Sequence, residues 1–222
     1  MKPLSIFLIR HGESLGNVNK AIYKTIPDWK IDLTERGVLQ AHEAGRILAN
    51  TIKAENSALN NNQIAFYCSP WYRARQTYEN ISISLKDSYP DIKITYKEDP
   101  RIREQEWGNY QEDHLFKKIN EERKKFGTFF YRMPNGESGA DVYDRVTTFI
   151  DTLHRDFEKE DSASNICIVS HGLAIKAFIM RWFHLSVEEF DQMETPDNCC
   201  IIQMRLQLNH KYKLQTGLKT NL

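Results

Sequence analysis

Two short stretches place a histidine directly after an apolar run. Ile6-Phe7-Leu8-Ile9 leads into Arg10-His11-Gly12-Glu13-Ser14, and Ile166-Cys167-Ile168-Val169 leads into Ser170-His171-Gly172. A third run, ending in Cys68, leads into Ser69-Pro70 and then to Arg73 and Arg75 at the start of a helical stretch. Apolar runs of this length read as buried strands, and open α/β sheets bind ligands outside the carboxyl ends of their strands. If the three strands are parallel neighbours, two histidines and two arginines meet at one rim, beside helix N-termini that favour anions. Arginine suits a phosphoryl group because its planar fork gives two parallel hydrogen bonds and keeps its charge. A histidine among arginines is discouraged from protonating, which leaves a ring nitrogen free as a nucleophile. The glycine after each histidine is expected to let the backbone turn and bring an N–H to the ligand. The partner these residues imply is a small phosphorylated substrate.

The elements that must position them follow from hydrophobic pattern. Strands are expected at Ile6 to Ile9, Ile64 to Cys68, Ile92 to Tyr96, Ile166 to Val169 and Cys199 to Leu206. Leu39, Ala44, Ile47 and Leu48 predict one helical face, and Val142, Val146, Phe149, Ile150 and Leu153 another. Strands alternating with helices imply an α/β fold with a mostly parallel central sheet flanked by helices on both faces. Lys53 to Gln63, with Asn56, Asn60, Asn61 and Asn62, reads as a polar surface loop, and the tail after Asn209 as a frayed terminus. Gln105 to Gly139 is charged and aromatic and long enough for a lid, or for a helical excursion packed on the sheet edge.

The 222 residues suit one domain, 1–222, with 105–139 as its lid insertion. Thirty basic residues balance thirty acidic ones, so charge suggests no nucleic-acid partner. No apolar run reaches the length of a membrane span, and the start shows no signal-peptide pattern. Cys68, Cys167, Cys199 and Cys200 have neither disulfide density nor metal-knuckle spacing and read as buried reduced thiols of a cytoplasmic protein. Oligomeric state is not legible.

The ordered set of motifs resembles the histidine phosphatase superfamily, the group that includes cofactor-dependent phosphoglycerate mutases. The resemblance rests on Leu8-Ile9-Arg10-His11-Gly12-Glu13-Ser14 with Asn17, Asp32-Leu33-Thr34-Glu35-Arg36-Gly37 with Gln40-Ala41, and Ser69-Pro70 with Arg73-Ala74 and Gln76-Thr77. It continues through Ile102-Arg103-Glu104 with Gly108, Gly136-Glu137-Ser138 and Val169-Ser170-His171-Gly172. The stretch Arg103 to Gln111 with Phe129-Phe130-Tyr131-Arg132 is similar to a plant and fungal phosphoglycerate-mutase-like subgroup. The resemblance implies a phosphatase that hydrolyses phosphate monoesters, with His11 as the phosphorylated nucleophile and Arg10, Arg73 and His171 as the clamp on the phosphoryl oxygens. It also implies Glu104 as the proton donor, Asn17, Ser14 and Gly172 as substrate-binding positions, and no metal or other cofactor.

In-line phosphoryl transfer asks for positioning and charge, which two arginines and a protonated His171 would supply. An alkoxide leaves badly, so an acid is needed opposite the nucleophile; Glu106, Glu112 and Asp113 rival Glu104 in that role. Arg75 is expected to face away from the phosphate, and Ser14, Ser69 and Ser170 could equally cap helices. Family mutases carry an arginine directly after the acid glutamate, where this chain has Gln105, which favours hydrolysis over mutase chemistry; Arg123, Lys124, Lys125 and Arg132 are further cations in the lid. A cysteine-based phosphatase fails on the spacing of Cys68 to Arg73 and Arg75, and a metallohydrolase is opposed by arginine beside the histidines. An inactive phospho-ligand binding module is the alternative of another class.

Overall fold

In the computed structural model, which describes residues 2–56, 62–108 and 113–215, each expected strand forms, extended by a residue or two or trimmed. The order is β1 (Ser5–Arg10), α1 (Leu15–Val18), α2 (Glu35–Asn56), β2 (Gln63–Cys68), α3 (Tyr72–Ser88), β3 (Lys93–Glu98) and α4 (Asp113–Phe126). It continues with α5 (Gly139–Phe157), β4 (Asn165–Ser170), α6 (Gly172–Phe183), α7 (Val187–Gln192), β5 (Ile201–Leu206) and β6 (Tyr212–Leu214). Single 3-10 turns lie at Lys20–Lys24, Asp28–Lys30 and Pro100–Ile102.

The sheet runs β3-β2-β4-β1-β5-β6, with the first four strands parallel and β5 and β6 antiparallel. Strand side chains alternate across it. Ile6, Leu8, Ile166 and Ile168 pack with α5 and α6 on one face, and Phe7, Ile9, Ile64, Phe66, Cys167 and Val169 with α2 and α3 on the other. Burying a side chain such as Phe149 contributes roughly 1.5–3 kcal/mol. The α5 stripe is buried as expected, and Ser138 caps that helix by accepting from the Asp141 amide at 3.2 Å while Asp141 Oδ2 accepts from the Ser138 amide at 2.7 Å.

Three expectations change. On α2, Leu39 and Ile47 are 68% and 46% exposed, and the buried stripe is Ala41, Ala44, Leu48, Ala49 and Ile52, because α3 packs close to the alanine side of the helix. Helix α2 also runs into the expected polar loop as far as Asn56, where Glu55 accepts hydrogen bonds from Ser5 and Gln203; residues 57–61 lie outside the described residues. The expected frayed tail contributes β6, an edge strand whose Tyr212 hydroxyl donates to the Pro3 carbonyl at 2.6 Å. Among the described residues none of the four cysteines forms a disulfide; Cys68 and Cys167 are buried and Cys199 and Cys200 only partly so.

Candidate active site

Because β2, β4 and β1 are parallel neighbours, their carboxyl ends meet. Arg10 pairs in register with Ser170 and Cys68 with Val169, and the His11 amide donates to the Ser170 carbonyl at 2.9 Å. This register sets the two imidazole rings 5.1 Å apart, centre to centre.

His11 is buried, and its Nδ1 lies 2.7 Å from the Gly12 carbonyl oxygen, which can only accept, so the proton sits on Nδ1. The lone pair is then on Nε2, which accepts from Arg73 Nε at 3.3 Å. Burial, and then Arg73 and Arg10, hold the His11 pKa well below the ordinary imidazole range, so the ring is neutral.

Arg73 is 4% exposed; its Nη1 donates to the Asp28 carbonyl at 2.7 Å and to Asp28 Oδ1 at 2.9 Å, and its guanidinium lies over the Trp71 ring. The Trp71 ring also meets His171 edge-on, bracing both groups. Arg10 Nη1 donates to the Pro196 carbonyl at 2.8 Å, and its buried Nε has no hydrogen-bond partner among the described residues. His171 is fully buried, with Nε2 2.7 Å from the Ser69 hydroxyl and Nδ1 buried without a hydrogen-bond partner among the described residues. Native proteins rarely leave such atoms unpaired, and an incoming phosphoryl oxygen would satisfy them. Burial and Arg73 also hold His171 well below the usual range, so the free site carries it neutral, contrary to the expected protonated form; the two arginines supply the positive charge.

Glu104 reaches the same rim from the end of the Pro100–Ile102 turn. Its Oε1 accepts from the Gln105 amide at 3.0 Å and its Oε2 from the Leu173 amide, in the first turn of α6, at 3.4 Å. Glu106 instead faces Arg103 at 3.6 Å on the exposed side; Glu112 and the Asp113 side chain lie outside the described residues. Gln105 is fully buried, donates to the Glu137 carbonyl at 2.6 Å and accepts from Arg123 Nη2 at 3.3 Å. Arg123, buried over the Trp107 ring, thus brings a cation from α4 to the neighbour of Glu104. Arg132 pairs with Asp141 away from this cluster, and Arg75 pairs with Glu98 and faces outward as expected.

Asn17 Oδ1 accepts from the Ser14 amide and hydroxyl at 2.9 and 3.0 Å and from Asn198 Nδ2 at 3.3 Å, which fixes the plane of its amide. Ser14 therefore bears on the site through Asn17. The Gly12 N–H does not reach for a ligand: it donates to Thr77 Oγ1 at 2.9 Å, and the residue must be glycine because a Cβ there would lie 2.5 Å from the Gly37 carbonyl oxygen. Gly172 is needed for room as well, since its Cβ would come within 2.5 Å of the Thr195 methyl.

Several residues at the site had not been singled out. Asp28 and Trp71 carry no periodic signal. Asn198 Nδ2 donates to the His11 carbonyl at 2.9 Å, and the Cys199 amide, on a left-handed backbone with φ 55°, donates to the Arg10 carbonyl at 3.0 Å. Antiparallel pairing of β5 with β1 puts the residues before one strand beside those after the other, a signal available only once that pairing is known.

Among the described residues no three His, Cys, Asp or Glu side chains gather to hold a metal ion. Two histidines and two arginines are thus gathered where parallel strands end. Residues 6–216 match the histidine phosphatase superfamily (branch 1), and the chain belongs to that family; its activity class is that of a phosphatase. It is 40% identical to a phosphoglycerate mutase-like protein of Arabidopsis thaliana, over 96% of this chain and 77% of the relative. It is 28% identical to a broad-range acid phosphatase of Saccharomyces cerevisiae, over 98% and 90%. A mycobacterial glucosyl-3-phosphoglycerate phosphatase solved with VO3 shares the fold, with a TM-score of 0.67 and 20% identity over 96% of this chain and 97% of that one.

Proposed function

We propose that the protein hydrolyses small phosphate monoesters through a phosphohistidine on His11. The observation that carries the reading is the His11 ring, neutral, with Nδ1 committed to the Gly12 carbonyl and Nε2 turned toward Arg73. Nε2 attacks phosphorus in line, Arg10, Arg73 and His171 hold the equatorial oxygens, and Asn17 donates to the same group. Glu104, protonated, gives its proton to the departing alkoxide; as a carboxylate it then takes a proton from the water that attacks the phosphohistidine, which restores both groups. Two guanidinium charges do the electrostatic work, so chelators are expected to leave activity unchanged. The segment 105–139 acts as the lid, and the reduced thiols fit a cytoplasmic site of action.

The test is rapid quenching during turnover of a labelled ester. An acid-labile, base-stable phosphoryl group on His11, absent from His11→Ala, supports the reading, and label on His171 or a cysteine rejects it. A mutase reading is favoured by one observation, the Arg123 cation at Gln105. It is checked with 3-phosphoglycerate and catalytic 2,3-bisphosphoglycerate, for which hydrolysis is expected to outrun isomerisation.

A further inference from the structure

Arg73 is held by more than the rim that presents it. Both hydrogens of Nη1 are spent on one residue, the carbonyl at 2.7 Å and the carboxylate at 2.9 Å of Asp28, which opens the 3-10 turn Asp28–Lys30. In a guanidinium, tying Nη1 leaves the Nε–Nη2 edge as the remaining two-pronged face, and here Nε points at His11 Nε2 from 3.3 Å. The face of Trp71 closes the third dimension. The side chain of Arg73 is 5% exposed and that of Asp28 28%, so water screens the pair poorly.

We propose that Asp28 is a positioning residue of the reaction: it anchors the Nη1 end of Arg73 so that the Nε–Nη2 edge meets the phosphoryl group at His11, and its ionised form does this work. The inference rests on the reading of Arg73 as a phosphoryl clamp. The groups facing the Asp28 carboxylate are Arg73 from α3, Glu104 from the end of the Pro100–Ile102 turn, and Lys20 and Tyr23 from its own segment. Burial pushes the carboxyl above its ordinary range, Arg73 opposes this and Glu104 adds to it. As pH falls through that raised value Asp28 takes up a proton, and Arg73 loses the charge that holds it.

The experiment measures kcat and KM for an aryl phosphate across pH with Asp28→Ala, Asp28→Asn, Arg73→Ala and the double variant Asp28→Ala/Arg73→Ala, each checked by thermal melting. Asp28→Ala is expected to lose about tenfold, chiefly in kcat. Asp28→Asn keeps an oxygen for Nη1 but not the charge, so it is expected to lose less than Asp28→Ala, to stay near the reduced rate of the protonated enzyme at every pH and so to flatten the acid limb, because position 28 no longer titrates. The double variant is expected to be no slower than Arg73→Ala alone. Wild-type rates for Asp28→Ala, or losses that add in full, overturn the proposal while leaving the clamp intact. Wild-type rates for Arg73→Ala overturn the clamp and the proposal together. Should Asp28→Ala fail to fold, Asp28→Asn decides: an unchanged acid limb overturns it.

Discussion

Most groups of the proposed phosphate rim stand at or next to the end of a strand: Arg10 closes β1, His11 follows it, Ser69 follows β2 and His171 follows β4, with Arg73 added from the first turn of α3. The carboxylates and the cation beside them, Asp28, Glu104 and Arg123, come instead from turns and from a helix far apart in the chain, and they are held through side-chain contacts such as Arg123 to Gln105 and Asp28 to Arg73. The difference separates two tasks. Backbone pairing sets the rim to the ladder's own spacing, which suits chemistry common to every phosphate ester. Side-chain contacts on longer segments set the walls, where one substitution is expected to change what is admitted without moving His11.

The largest expected effect lies on the rim. His11→Ala is expected to reduce turnover by about 10⁴-fold or more, since the nucleophile itself is gone. Residual steady-state turnover near wild type would show that the strand-end geometry does not carry the reaction. Arg10→Ala and Arg73→Ala are next, each lowering kcat/KM by about a hundredfold, the magnitude of a lost electrostatic donor. Arg75→Ala, which breaks a half-exposed pair with Glu98, is expected to stay within about threefold, surface pairs contributing little. Equal losses at Arg73 and Arg75 would erase the distinction between rim and periphery.

On the walls, Gln105→Arg tests whether a cation beside Glu104 turns hydrolysis toward mutase chemistry. Gln105 is buried and already accepts from Arg123, so a second guanidinium would face the first and forfeit the bond to the Glu137 carbonyl. A loss of about 1–3 kcal/mol in stability, read by denaturant titration, is expected, with a change in the ratio of isomerisation to phosphate release of less than about threefold. A large gain in isomerisation would mean the wall alone selects the reaction.

The smallest effect is a dependence of stability on pH. His11 and His171 have folded pKa values depressed below the unfolded value, so over the interval between the two the unfolded chain binds more protons. Stability is then complete above about pH 6.5 and is lost progressively as pH falls below it. A melting temperature that drops between pH 7 and 5, with a shallower drop in His171→Asn, is the expected outcome; saturating phosphate should oppose it.

Local pattern carried much of this. Short apolar or β-branched runs between polar breaks marked the strands, and the α5 stripe appeared in its 3.6-residue period, because burial of one helix face is written in a few turns of chain. The same reasoning misjudged α2, where both Leu39 and Ala41 fit a helix. Which of them was buried depended on where α3 came to rest. It also missed β6, too short and polar to announce itself before β5 offered an edge.

For the site, residue types and their place after apolar runs were enough to select Arg10, His11, Arg73 and His171, since the chemistry of an anion and the geometry of parallel strand ends are both general. Tertiary structure decided everything that depends on distance through space. It assigned the Gly12 N–H to Thr77, left His171 neutral, and put Asn198 on the His11 carbonyl and Asp28 on Arg73. The reason is physical: hydrogen-bond partners 45 or 187 positions apart are chosen by the packing of whole elements, and burial, which sets the charge of both histidines, belongs to the folded chain and to no segment of it.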